Sequence, residues 1–276
     1  MRKGSPLRSS ELPIGIFDSG LGGLTVMAEV MKALPNENII YFGDTAHVPY
    51  GSKSKDTVTK YSLDIAAFLV SKKVKLIVVA CNTASAMALD ELRKRLDVPI
   101  IEVIGPGARA ALSVTKRARI GVIGTEGTIK SSSYARAIKK LDRKAKVFGK
   151  ACPLFVPLVE EGWLGHKVTK EVAKEYIKPL LKNRIDTIVL GCTHYPLIKK
   201  VIAAAAGPGV KLIDSAQAAA SEVLEALLEL EISNLSGKKG RYEYYVSDIP
   251  GKFTEVACRF LGRAIKPVRK VNVEAR

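Results

Sequence analysis

Two apolar runs in this chain each end in a cysteine followed at once by small polar residues: LIVVACNTASA around Cys81 and TIVLGCTHYPL around Cys192. The cysteines stand 111 residues apart, and IGIFDSG from Ile14 to Gly20 has a counterpart at nearly the same offset in IGVIGTEG from Ile120 to Gly127. Each half begins strand, glycine turn, helix and later reaches strand, cysteine, helix. A period this long lies outside those of solenoid repeats. It predicts a duplication: two like-folded halves facing each other.

Both halves read as alternating α/β. Ile14 to Phe17, Ile39 to Phe42, Leu76 to Ala80, Ile100 to Ile104, Ile120 to Ile123 and Ile188 to Leu190 are short apolar runs of buried-strand type. Between them apolar residues recur at helical steps, as in Val58, Tyr61, Ile65 and Leu69, in Ala88, Leu92 and Leu96, and in Ile198, Val201, Ile202 and Ala205. Strands alternating with such helices predict doubly wound, mainly parallel sheets covered on both faces. The expected fold is therefore α/β, with two similar domains related by pseudo-twofold symmetry and an active site in the cleft between them.

Glycine and proline interrupt the alternation at Ile104-Gly105-Pro106-Gly107 and at Ala205 to Gly209. A strand at Lys211 to Ile213 closes the second half, and beyond it lie a helix carrying Ala218, Val223, Leu227 and Leu230 and a strand at Tyr242 to Val246. A lone strand and helix need an existing sheet to join. The expected division is 1–13 as a flexible N-terminal extension, 14–104 plus 214–270 as a discontinuous first domain, and 105–213 as the second. With 276 residues, 47% of them hydrophobic and 26% charged, there is chain enough for two such cores.

In parallel α/β sheets ligands bind at the carboxyl ends of strands, beside the N-termini of the following helices. Cys81 and Cys192 both fall there, so the two thiols are expected to flank one cleft. The helix N-termini favour thiolate over thiol, and Asn82-Thr83 and Thr193-His194 are placed to hold a carboxylate. Inverting a stereocentre by proton transfer uses two such groups, one removing a proton from one face and the other delivering one to the opposite face. A Cys/His hydrolase built on Cys192 and His194 is the alternative, but it leaves Cys81 without a task. A single strand-end cysteine is more often a small core residue; two with polar successors are not.

The matching blocks IGIFDSGLGGLTV, YFGDTAHVPYGSKS, VVACNTASA, GVIGTEGTI, PLVEEG and GCTHYPLI run in order through nearly the whole chain from Ile14. On these the sequence closely resembles the glutamate racemases, cofactor-independent members of the aspartate/glutamate racemase superfamily that make D-glutamate for bacterial peptidoglycan. The resemblance implies that Cys81 and Cys192 are the acid-base groups, the first working on D-glutamate and the second on L-glutamate. It implies that Asp18 assists Cys81, and that Glu160 and His194 assist Cys192. It also implies substrate contacts from Asp18, Ser19, Pro49, Tyr50, Gly51, Asn82, Thr83, Thr125, Thr193 and His194. Apart from the resemblance, Asp18 also suits a cap for a helix from Gly22 to Leu34. Aspartate, one methylene shorter, is the competing substrate.

No cofactor is expected: the dinucleotide pattern at Gly20 to Gly23 is broken by Thr25, there is no Walker A sequence, and no lysine is marked as a pyridoxal phosphate anchor. No metal is expected either, because the four cysteines and three histidines form no ligand set with recognisable spacing. No run is long enough to cross a bilayer and no apolar leader follows the basic N-terminus, so a cytoplasmic protein with free thiols is expected. A homodimer is the expected assembly. The charge of +17, from 44 Lys and Arg against 27 Asp and Glu, attracts anions. Much of it lies between Lys116 and Lys150, with few aromatics for base stacking, so nucleic-acid association is expected as a secondary role at most.

Overall fold

The structure, a computed structural model, describes residues 9–265 and 267–273. Four apolar runs of the first half form β1 (Ile14–Asp18), β2 (Ile39–Gly43), β3 (Leu76–Val79) and β4 (Ile100–Glu102). The second half forms β5 (Arg119–Gly124), β6 (Lys146–Ala151), β7 (Thr187–Gly191) and β8 (Lys211–Asp214). After these come β9 (Tyr242–Val246) and β10 (Val268–Lys270). One sheet runs β10-β9-β2-β1-β3-β4 and the other β6-β5-β7-β8. Every pairing is parallel. The order 2-1-3-4 thus recurs as 6-5-7-8, with Cys81 following β3 and Cys192 following β7 in equivalent places. That is the duplication, written in topology.

Helices cover both faces of each sheet, as parallel strands buried on both sides require. The first half contributes α1 (Leu24–Ala33), α2 (Lys55–Ser71), α3 (Asn82–Met87) and α4 (Leu89–Arg95). The second contributes α5 (Ile104–Val114), α6 (Glu126–Lys130), α7 (Ser133–Leu141), α8 (Phe155–Glu160), α9 (Lys167–Leu181) and α10 (Lys199–Ala206). The chain then forms α11 (Ser215–Glu229) and α12 (Pro250–Leu261). β1, β2, β3 and β7 are buried along their whole length. One apolar cluster joins the halves: Ile16, Met27 and Val78 of the first share it with Ile188 and Leu190 of the second and with Val223 of α11. The two sheets are therefore joined through a continuous core.

Several elements differ from the sequence reading. Gly105-Pro106-Gly107 does not break the chain; it forms the first turn of α5, where proline is tolerated because its missing N–H has no partner to lose. Glu102 stabilises that turn by accepting from the amides of Ile104 and Gly105. The helix expected from Gly22 starts at Leu24. β6 and β10, absent from the reading, occupy outer edges of the two sheets. Of the segment 1–13, residues 1–8 lie outside the described residues, while Ser9–Glu11 form a 3₁₀ turn held by Asn38 Nδ2 donating to the Glu11 carbonyl at 2.8 Å. Among the described residues no helix is long and apolar enough to cross a membrane.

Candidate active site

The strand ends of both sheets open on one cavity of about 450 Å³. From the first half its wall takes Ser19 after β1, Val48 to Ser52 after β2, and Cys81, Asn82 and Thr83 after β3. From the second it takes Thr125 and Glu126 after β5, then Pro153, Val156, Pro157 and Glu160 after β6, and Cys192, Thr193 and His194 after β7. The two sulfurs therefore share one cleft, each only 5% exposed.

The two thiols sit in different surroundings. Cys81 is the N-cap of α3; the Ala84 amide donates to its Sγ at 3.5 Å, and its own S–H donates to Ser19 Oγ at 3.6 Å. Burial, followed by the nearby Asp18 charge, pushes the Cys81 thiol up to about 12. The expected preference for thiolate is not met at Cys81, where desolvation outweighs the hydrogen bonds with Ala84 and Ser19. Cys192 has no helix directly behind it: a 3₁₀ turn, Tyr195–Ile198, intervenes before α10. Its cation comes from a side chain instead. His194 Nδ1 lies 3.9 Å from Cys192 Sγ, and His194 Nε2 lies 3.0 Å from Glu160 Oε1. Burial by itself lowers the His194 pKa, but hydrogen bonds to Cys192 and Glu160 and their negative charges more than offset it, holding the ring above its ordinary value.

Asp18 does not reach the cleft wall. It is fully buried behind Ser19, where Gly20 N donates to its Oδ2 at 2.9 Å and Thr193 Oγ1, from the other half, donates to its Oδ1 at 3.4 Å. Burial raises its pKa, with the charge of His194 opposing. The glycine loop after β1 leans on the same partner: Thr25 Oγ1 donates to the Thr193 carbonyl at 3.0 Å, and a Cβ on Gly22 would come within 2.1 Å of Thr193 Oγ1. Across the cleft floor the hydroxyls of Thr83 and Thr125 lie 2.9 Å apart. Tyr50 is anchored by its hydroxyl, which donates to Asp44 Oδ2 at 2.6 Å, while Ser247 Oγ donates to Asp44 Oδ1 at 2.7 Å.

All the sequence-selected residues except Asp18 thus meet at the cleft. The sequence reading missed Val48, Ser52, Glu126, Pro153, Val156 and Pro157 on the wall, and Asp44 behind it. The strand-end rule yields Pro153 and its neighbours once β6 is recognised as a strand. Among the described residues no three His, Cys, Asp or Glu side chains converge as a metal site.

Fold and shared cleft define a two-domain α/β enzyme. The chain belongs to the Asp/Glu/Hydantoin racemase family, whose match covers residues 15–223. A glutamate racemase from Geobacter metallireducens is 55% identical over 262 residues, spanning 95% of this chain and 97% of that protein. Among solved structures, a glutamate racemase isoform from Bacillus anthracis superposes with a TM-score of 0.93 at 39% identity, covering 97% of this chain and 100% of that one. The glutamate racemase of Francisella tularensis, solved in complex with D-glutamate, gives a TM-score of 0.90 at 40% identity over 96% and 99% of the two chains.

Proposed function

We propose that the protein racemises glutamate by proton transfer between two thiols, without a cofactor, and so supplies D-glutamate for peptidoglycan. The observation that carries this reading is the pair of sulfurs, contributed by equivalent strand ends of two duplicated halves to one cleft. The names and the D-glutamate complex of its relatives support the choice of substrate.

In the L-to-D direction the Cys192 thiolate takes the α-hydrogen as a proton, and the bonding electron pair stays on the α-carbon. The Cys81 S–H then gives its proton to the opposite face, leaving Cys81 as thiolate and Cys192 as thiol; the D-to-L direction reverses both steps. The unequal surroundings suit this division. Charged His194, braced by Glu160, balances negative sulfur at Cys192, while a Cys81 thiol raised to about 12 is protonated at neutral pH and ready to donate. Asn82, Thr83, Thr125 and Thr193 line the cavity between the sulfurs and offer polar groups to the substrate's carboxylates. Ser19, Pro49, Tyr50 and Gly51 complete the first-half wall, and Asp18 acts from behind it by holding the glycine loop and Thr193.

Circular dichroism of L-glutamate and L-aspartate incubated side by side with the enzyme tests the reading. Glutamate is expected to lose its signal, with aspartate slower by about 10- to 200-fold, the discrimination one methylene commonly provides. An unchanged glutamate signal, or faster loss with aspartate, would contradict it.

A further inference from the structure

Asn82 lines the cleft beside Cys81, yet its Nδ2 has no hydrogen-bond partner among the described residues although the residue is only 2% exposed. A buried amide donor left unpaired costs free energy unless a ligand satisfies it. The other end of the same amide is held: Tyr134 donates from its hydroxyl to Asn82 Oδ1 at 2.7 Å. Tyr134 is 2% exposed and does not line the cavity, so it touches no substrate.

An asparagine amide presents a donor at one end and an acceptor at the other, and which end faces a site depends on what holds the opposite end. The Tyr134 hydroxyl stays protonated because burial pushes its pKa up. Its ring is itself fixed, packed where a Cβ on Gly107 or Gly191 would come within 3.2 or 3.1 Å of it. Gly191 immediately precedes Cys192, whereas Asn82 immediately follows Cys81. One buried phenol on α7 of the second half thus spans to the first and holds one end of the side chain that follows Cys81, leaving the other end without a protein partner among the described residues.

We propose that Tyr134 is a positioning residue for substrate binding: by holding Asn82 Oδ1 it fixes the amide with Nδ2 facing the cleft, as a donor for a carboxylate of the amino-acid substrate. This rests on the racemase reading above and adds to it a residue that the cleft wall does not contain. An amide free to rotate presents its oxygen to that carboxylate for part of the time, which weakens ground state and transition state alike. The signature is therefore a raised KM with kcat little changed.

The test is a double-mutant cycle of Tyr134→Phe and Asn82→Ala, read by glutamate racemisation kinetics and by D-glutamate binding calorimetry, with the fold of each variant checked by far-UV circular dichroism and thermal midpoint. Tyr134→Phe keeps the ring; it is expected to raise KM and the glutamate Kd about tenfold, with kcat within about threefold of the parent. In the Asn82→Ala background the same change is expected to shift Kd by less than about twofold, because the amide it orients is gone. Additive effects in the two backgrounds, or an unchanged Kd in Tyr134→Phe, would overturn the inference while leaving the racemase reading intact. A parent enzyme that fails to racemise glutamate would instead remove that reading.

Discussion

At the scale of single residues, the two thiols are chemically alike but electrostatically unlike. Cys81 is surrounded by apolar burial and the carboxyl of Asp18, whereas Cys192 faces an imidazole that Glu160 holds from its far side. This arrangement makes His194 a pH sensor of stability. Its pKa in the folded protein is raised from 6.5 to about 10, so the folded state binds the proton more tightly than the unfolded chain does. The associated stability is fully present below pH 6.5 and is lost as pH rises toward about 10. Denaturant midpoints measured across that range are expected to fall with rising pH in the parent and to fall less in His194→Asn; equal slopes would contradict the assignment. Cys81 and Cys192 were legible from sequence because each ends an apolar run. The Glu160–His194 contact was legible only through the family resemblance, which puts both on the Cys192 side; α9 and β7 lie between these residues, 34 apart in sequence, and no local pattern encodes their meeting.

At the scale of elements, the strand-to-helix turns do the positioning, and the glycine turn after β1 is the tightest of them. Gly22 lies directly against Thr193 and His194, where an added Cβ would meet Thr193 Oγ1 at 2.1 Å and His194 Nδ1 at 2.6 Å. Gly22→Ala is therefore expected to cost about 1–3 kcal/mol of stability, the usual range for overpacking. It is also expected to lower kcat/KM at least about tenfold by displacing the ring that faces Cys192. Chemical denaturation and steady-state assays check both, and a fully active, equally stable variant would show that the loop yields without consequence. The central strands were readable because both their faces are buried and their sequences are continuously apolar, as in LIVV and TIVLG. β6 was not: it is an edge strand reading KVFGKA, with lysines that guard the edge and hide the strand within a basic stretch. Gly105-Pro106-Gly107 misled for the opposite reason, since residues that punctuate a chain elsewhere are permitted in a helix's first turn.

At the scale of the whole molecule, the halves are held against each other by a shared apolar core and by hydrogen bonds that cross between them, from Thr25 to Thr193, from Thr193 to Asp18 and from Tyr134 to Asn82. The surplus positive charge stands apart from this. Arg136, Lys139 and Lys140 on α7 are exposed, and none lines the cleft. Converting Lys139 and Lys140 together to glutamate is expected to leave kcat/KM for glutamate within about twofold, as for most surface substitutions; a larger loss would tie the charge to catalysis. In the proposed mechanism two sulfurs act from opposite faces of one carbon, and the isotope at that carbon reports this directly. In deuterium oxide at low conversion of L-glutamate, the D-glutamate formed is expected to carry solvent deuterium at the α-carbon while recovered L-glutamate carries almost none. Product that retains the substrate's own hydrogen, or a Cys81→Ser/Cys192→Ser variant that still racemises, would contradict a two-thiol mechanism.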